Sequence, residues 1–389
     1  MNRNTRQLLL VLGLITSVLT DVALLDAAEP ADAPSTEAET RQLVAKLGSD
    51  DFLIREKAAE DLTKLGFSAT AALEQGAKHS DREIRYRCLR ILQVIRQLDF
   101  EQRLEAFIQN PDESEQSQLP GWERFRTRLG NSDDIRTLFV QMQRAEPQLL
   151  KAIQTSGKAA AEALATRSVG LQQAQQSGLH DQPLSTTATL LFISGESDVV
   201  VPVQISQLIN NLCHQPNFRN AITGGNNLEL KDLMRKMLGG WIRRGEDWVA
   251  YQGLMLAMQY DIEDGLVPAE KALKNPQSQA HIRQYAILTV AKMGNDSHRP
   301  LLLPMLDDKT VCTAIQINKV MVQSQVRDVA LAALLYMNKQ DPKKYGFDQL
   351  QPHPQYLYTP QFLGFENDDK RIASLKKWKA FEEEQKKPG

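Results

Sequence analysis

The sequence has few aromatic residues and little net charge. Aromatic residues make up 6% of the 389-residue chain, and 46 basic side chains nearly balance 48 acidic ones, for a formal net charge of −2. With so few aromatic rings, the core must consist mainly of Leu, Ala, Ile, Val and Met, which suits helix-on-helix packing better than a β-sandwich. A near-neutral chain offers no global field for nucleic acid, whose binding requires many neutralised phosphates. We therefore expect a helical protein that does not bind nucleic acid.

Residues that form disulfides or bind metals are also scarce. Cys88, Cys213 and Cys312 are odd in number, far apart and without metal-ligand spacing, so we expect them to be unpaired. None of the six histidines has a partner three or four residues away that would complete a zinc site on a helix. The sequence predicts no metal site and no cofactor.

No motif with a strong catalytic mechanism is present. The segment 195–199 (Gly-Glu-Ser-Asp-Val) approaches a nucleophile elbow but lacks its last glycine, and it favours a helix-capping loop. Gly224-Gly225 is not followed by the Lys-Ser/Thr of a phosphate-binding loop, so it indicates a turn. The acidic residues at 261–264 have the wrong spacing for a calcium loop. We predict no catalytic residue. The alternative is an envelope enzyme whose site is assembled from residues far apart in the sequence.

The N-terminal segment is apolar but short. Two arginines precede the apolar run 8–19, and Asp21 and Asp26 interrupt it before the ~20 residues that a membrane-spanning helix needs. This pattern is typical of a secretory signal peptide, which we place at 1–28, followed by a disordered linker at 29–38. We expect an exported protein, either secreted or located in the periplasm or cell envelope. Alternatively, an uncleaved N-terminal segment anchors it in the membrane.

What the sequence does contain is a short pattern that occurs four times. An arginine is followed, at steps of three, four and three, by a small residue and two apolar ones. The copies begin at Arg55, Arg85, Arg283 and Arg327. This spacing puts the small and apolar residues on one face of an α-helix, and the small residue lets a second helix approach closely. The first two copies are 30 residues apart (85 − 55) and the last two 44 (327 − 283), which fits one helix hairpin per repeat. The pattern predicts an all-α, right-handed solenoid.

The longer of these two intervals contains a segment with strand character. β-Branched residues alternate from Val311 to Ile317, and Asn318-Lys319 precede a second apolar stretch. Such alternation across an Asn-led turn predicts a small β-hairpin, inserted near 311–322.

The recurring unit resembles the HEAT repeat. In that family the second helix of each pair starts near an acidic residue and carries an arginine that ties neighbouring repeats together. The first two copies here have an aspartate four residues before the arginine, and the last two have glutamine. The resemblance implies a structural role between repeats for Asp51, Arg55, Asp81, Arg85, Arg283 and Arg327.

The C-terminal part also resembles secreted HEAT-repeat proteins of planctomycete bacteria, in Val326–Ala332 and in Asp341–Phe347. Those proteins have no assigned activity. This resemblance therefore implies an architecture and an exported location, and no chemistry.

Turn signals and shifts in composition divide the rest of the chain. We expect N-terminal HEAT-like repeats at 39–109, a break at 110–121, degenerate helical repeats at 122–273, C-terminal HEAT-like repeats with the hairpin at 274–347, and a Pro-rich extended segment with a charged tail helix at 348–389. Within the degenerate region we predict one long helix from Pro147 to Gln176, and breaks at Gly224–Asn227 and at Gly239–Gly240.

The second helices of HEAT-type repeats line a concave surface, and their outward residues are candidates for binding. In the second copy these are Tyr86, Arg90 and Gln93, a mixed polar and aromatic set that suits a protein or peptide partner. An ordinary solvated helix face is the alternative. The helices of the last two copies are apolar nearly all round, so we expect either the Pro-rich tail or a partner to cover them.

The sequence as a whole predicts a non-enzymatic exported scaffold that binds a protein. A nucleic-acid-binding HEAT-like protein becomes the alternative if the chain is not exported.

Overall fold

The computed structural model describes residues 37–109, 119–178, 181–225, 227–245, 247–317 and 319–385. The expected signal peptide, the linker up to residue 36 and most of the expected break lie outside the described residues. The described chain is mostly helical, with two small two-stranded antiparallel sheets. It contains no helix that is both long and apolar enough to cross a membrane. The chain divides into two compact units, 1–102 and 103–389.

The N-terminal unit is built from paired helices, and its last helix continues past residue 102. Its helices are α1 (Glu37–Lys46), α2 (Phe52–Leu65), α3 (Thr70–Gly76) and α4 (Arg82–Gln109), with a 3-10 turn at Gly66–Ala69 between α2 and α3.

The repeated pattern forms the buried face of this unit. Ala58 and Leu62 of α2 are buried, as are Cys88 and Leu92 of α4, and they share one apolar cluster. A Cβ atom on Gly76, at the end of α3, would lie 2.5 Å from Cys88 Sγ, so the two backbones approach closely at this point. Burial raises the pKa of the Cys88 thiol to about 11, which keeps it neutral, and it packs as a small apolar group.

The C-terminal unit holds the remaining elements. Its helices are α5 (Trp122–Leu129), α6 (Asp133–Ala145), α7 (Pro147–Thr155), α8 (Gly157–Gln176), α9 (Leu184–Ser194), α10 (Val203–Cys213), α11 (Pro216–Thr223), α12 (Leu228–Arg243), α13 (Asp247–Tyr260), α14 (Leu266–Lys274), α15 (Ala280–Met293), α16 (Arg299–Leu302), α17 (Val326–Met337) and α18 (Asp368–Gln385). Its strands are β1 (Val311–Ile317), β2 (Val320–Gln325), β3 (Pro352–His353) and β4 (Leu357–Tyr358).

Two sequence predictions in this unit are wrong. The expected single helix from Pro147 to Gln176 is divided at Ser156, whose backbone is extended and whose side chain accepts a hydrogen bond from Ala159 N, so that a new helix begins there. The expected break at Gly239–Gly240 lies inside α12. Neighbouring side chains pack against both glycines: a Cβ on Gly239 would clash with Asp264 Oδ2, and one on Gly240 with Arg128 Nη2, unless these side chains moved.

The predicted hairpin is confirmed. β1 pairs with β2 in antiparallel register, with Ile315 opposite Val322 and Ile317 opposite Val320. β2 runs three residues beyond the predicted end, to Gln325, and α17 begins at the next residue.

The tail covers the apolar helices of the C-terminal unit. α15 and α17 pack against each other, and Phe365 and Trp378 of the tail are buried in the same core. Two hydrogen bonds hold the tail backbone against α15: Gln284 Nε2 donates to Pro360 O (3.0 Å), and Lys292 Nζ donates to Gln355 O (2.9 Å). The sequence led us to expect that either the tail or a partner covers these helices. In the structure the tail covers them.

Candidate functional site

A groove between α2 and α4 in the N-terminal unit includes two of the three predicted contact residues. Its volume is about 380 Å³. We call it the α2–α4 groove, and its lining residues are Glu56, Ala59, Glu60, Thr63, Lys64, Tyr86, Arg87, Arg90, Ile91 and Val94.

The floor of the groove is apolar. Ile91 is buried, Ala59 is half-buried, and Val94 and Tyr86 keep 41% and 62% of their surface exposed. Exposed Val and Tyr side chains that meet a concave apolar floor lose water when a partner side chain enters. The α2–α4 groove can therefore hold an apolar side chain.

Most charges along the groove are already paired within the chain. Arg87 Nη1 donates to Glu56 Oε1 (2.8 Å), and the guanidinium also donates to Glu83 Oε1 through Nε (2.6 Å). Lys64 Nζ lies 2.6 Å from Glu60 Oε1. The bond from Lys64 lowers the pKa of Glu60, and the bond to Glu56 raises the pKa of Arg87, so these two contacts favour the charged forms of Glu60 and Arg87.

Arg90 is different. Among the described residues, its guanidinium has no hydrogen bond and no ion pair, and it is exposed one turn after Tyr86 on α4. Gln93, the third predicted contact residue, is also exposed but does not line the groove. The structure thus brings Tyr86 and Arg90 together with Glu56, Glu60 and Thr63 of α2, and leaves Gln93 outside.

The predicted structural residues of the N-terminal half lie at the start of α2 and α4. Asp51 Oδ1 accepts a hydrogen bond from Leu53 N (2.8 Å) and caps α2. Arg55 Nη1 donates to the carbonyls of Ser49 and Asp50 (2.6 and 3.0 Å), and its Nε lies 3.9 Å from Glu83 Oε1 of α4.

The second copy repeats this geometry. Asp81 Oδ1 accepts from Ile84 N (3.1 Å) and Glu83 N (2.7 Å), and these two bonds lower the pKa of its carboxyl group. Arg85 Nη1 donates to the carbonyls of His79 and Ser80 (2.7 and 2.6 Å). Both arginines therefore fix the loop before their own helix, and their role between repeats stays a prediction.

In the C-terminal half the arginines bond to side chains. Arg283 pairs with Asp308. Arg327 donates to Gln325 Oε1 (2.7 Å) and to Asp368 Oδ1 of the tail (3.1 Å). The described contacts of Arg283 and Arg327 differ from those of Arg55 and Arg85, which donate to carbonyl groups of the loop before their own helix.

Sequence reasoning missed an ion pair next to Arg327. Arg371 of α18 donates through Nε to Asp328 Oδ1 of α17 (2.8 Å), and the two side chains are only 2% and 1% exposed. Burial raises the pKa of Asp328 to about 6, against the opposing effect of Arg371. The two residues are 43 positions apart, and no local pattern connects them.

The segment that approached a nucleophile elbow is a loop held by arginines. Arg244 donates to the carbonyls of Ser194 (3.1 Å) and Val199 (2.8 Å), and Arg124 Nη1 donates to Asp198 Oδ1 (2.9 Å). Among the described contacts, no histidine bonds to Ser197. These contacts support a structural reading of the segment.

The structure holds no grouping of metal-ligating side chains within the residues it describes. All three cysteines are free, as expected.

A scan of protein-family models finds no match to this chain, and a search of curated proteins finds no significant relative.

Proposed function

We propose that this protein is a non-enzymatic, exported scaffold, built on a right-handed HEAT-like solenoid, that binds a protein or peptide partner in the α2–α4 groove. The observation that carries the proposal is the groove itself: an apolar floor, an exposed Tyr86, and an Arg90 that has no hydrogen bond or ion pair among the described residues. Aromatic and arginine side chains are the types enriched where protein interfaces gain most of their affinity.

A second observation supports the α2–α4 groove, rather than an ordinary exposed helix face, as the binding surface. The apolar faces of α15 and α17 are covered by the chain's own tail, whereas none of the described residues covers the groove of the N-terminal unit. An apolar surface left uncovered in this way is typical of an interaction site.

The test is affinity capture with the tagged chain from the cell envelope of its source organism. We expect a stoichiometric partner that is retained by the wild-type chain and lost with the double variant Tyr86→Ala/Arg90→Ala. Lys78→Ala is the matched control, because Lys78 is exposed in the same unit but does not line the groove. A partner that the double variant retains would place binding elsewhere. Turnover in an activity screen, with no partner, would favour the enzyme alternative.

Export and architecture have their own tests. Fractionation should place the chain outside the cytoplasm, and full-length protein in the cytoplasm would contradict export. Small-angle scattering should give an elongated particle, because each repeat of a solenoid contacts only its neighbours. A compact particle would contradict the solenoid.

A further inference from the structure

We infer that the segment bound in the α2–α4 groove is acidic: a peptide that places a carboxylate on Arg90 beside an apolar side chain on the groove floor. This inference rests on the proposed function and specifies the chemistry of the partner.

The first step is the charge that remains after internal pairing. Glu56 is bonded to Arg87, and Glu60 to Lys64, so neither carboxylate attracts a cationic partner strongly. Arg90 is the one ionic group lining the groove for which the described residues supply no counter-charge. The net unpaired charge of the groove is therefore positive, and complementarity calls for an anion.

The second step is the geometry around that charge. Tyr86 precedes Arg90 by four residues and Val94 follows it by four, so the three side chains lie along one face of α4. The cation is thus flanked by an aromatic and an aliphatic surface, with Ile91 below them. A ligand that satisfies all of these groups carries an apolar side chain and a carboxylate within a few residues of each other.

The third step separates a peptide from other anions. Glu56 and Glu60 line the same groove, and the whole chain carries a net charge of −2. A polyphosphate backbone would meet these carboxylates and only one cation of the groove without a described counter-charge. This is too few for nucleic acid, whose binding requires many neutralised phosphates. A guanidinium binds a single carboxylate well, through two parallel hydrogen bonds.

The experiment selects ligands without assuming a partner. A phage-displayed library of random linear peptides is panned on the full chain and, in parallel, on Arg90→Glu. We expect the wild-type chain to enrich peptides with Asp or Glu at a fixed distance from a Leu, Ile or Phe, and Arg90→Glu to enrich Lys or Arg at that position instead. The control variant Lys78→Glu makes the same change in charge outside the groove, and it should enrich the wild-type set.

One enriched peptide is then synthesised and its affinity measured by fluorescence anisotropy. Arg90→Ala should weaken binding roughly 10- to 100-fold, the range for loss of a charge-assisted hydrogen bond. Enriched peptides that depend on Tyr86 but show no acidic preference would overturn this inference and leave the proposed function intact. Failure to enrich any peptide that depends on Tyr86 or Arg90 would overturn both.

Discussion

Replacing Arg371 by Met should destabilise the C-terminal unit by about 3–5 kcal/mol at neutral pH, the usual cost of removing one partner from a buried ion pair. Met keeps much of the apolar volume of the Arg side chain, so the loss comes mainly from the ionic contacts. Arg371 donates to Asp328 Oδ1 (2.8 Å) and to Gln323 O (2.9 Å), and without it the buried Asp328 carboxylate loses its ion-pair partner and keeps the hydrogen bond from Gln325 N.

The size of this loss should depend on pH. Burial already raises the pKa of Asp328 to about 6 in the folded protein, above its ordinary value of 3.8. The stability gained from a protonated Asp328 is therefore fully present below pH 3.8 and is lost as the pH rises through about 6. Without Arg371 the opposing attraction disappears and the pKa of Asp328 rises further. The deficit of Arg371→Met should thus shrink on acidification, as Asp328 takes up a proton.

The assay is urea unfolding followed by tryptophan fluorescence, at several pH values between 4 and 8. All four tryptophans lie beyond residue 102, so the signal reports on the C-terminal unit. Lys379→Met, at an exposed position of the same helix, is the matched control and should change stability little. The double variant Arg371→Met/Asp328→Asn should recover much of the loss at neutral pH. A deficit that does not vary with pH, or that the double variant does not reduce, would refute the reasoning.

Two further predictions concern close packing and loop fixation. Gly240→Ala should lower the melting temperature, with a cost of about 1–3 kcal/mol, because its Cβ would displace the Arg128 guanidinium from Glu196. The control Gly170→Ala, at a helical site with room for a methyl group, should instead stabilise the protein by up to about 1 kcal/mol. Equal effects of the two variants would contradict the packing argument. Arg85→Met should lower the free energy of unfolding by about 1–3 kcal/mol, because the hydrogen bonds from Arg85 to two loop carbonyls are lost. A circular-dichroism melt measures this change. Unchanged melting with lost partner binding would make Arg85 a functional residue.

Local patterns account for the parts of the fold that could be predicted. The burial of Ala58, Leu62 and Cys88 follows from their spacing alone, because the helical period fixes which residues share a face. The hairpin could be predicted for the same reason, since strand alternation and turn chemistry lie within one short segment.

The features that could not be predicted depend on residues far apart in the sequence. Considered in the sequence alone, Gly239 and Gly240 suggest a break. In the structure the side chains of Asp264 and Arg128 pack against these two positions, which explains why glycine is favoured there within a helix. The α2–α4 groove shows the same limit. Tyr86 and Arg90 could be proposed from their helical positions. The ion pair of Arg87 with Glu56, which contributes to leaving Arg90 without a counter-charge among the described residues, depends on a contact between α2 and α4.

The cover supplied by the tail has a consequence for the order in which the protein can mature. Trp378 completes a core whose last preceding helix ends at Met337, 41 residues earlier in the chain (378 − 337). At the usual rate of about 5–20 residues per second, a ribosome needs roughly 2–8 s to make that stretch. During this interval the helices that the tail will cover have been synthesised, but their apolar faces are not yet fully covered. A holdase chaperone therefore has a defined period of seconds in which to capture the nascent chain, and a chain truncated before Trp378 would keep that surface permanently.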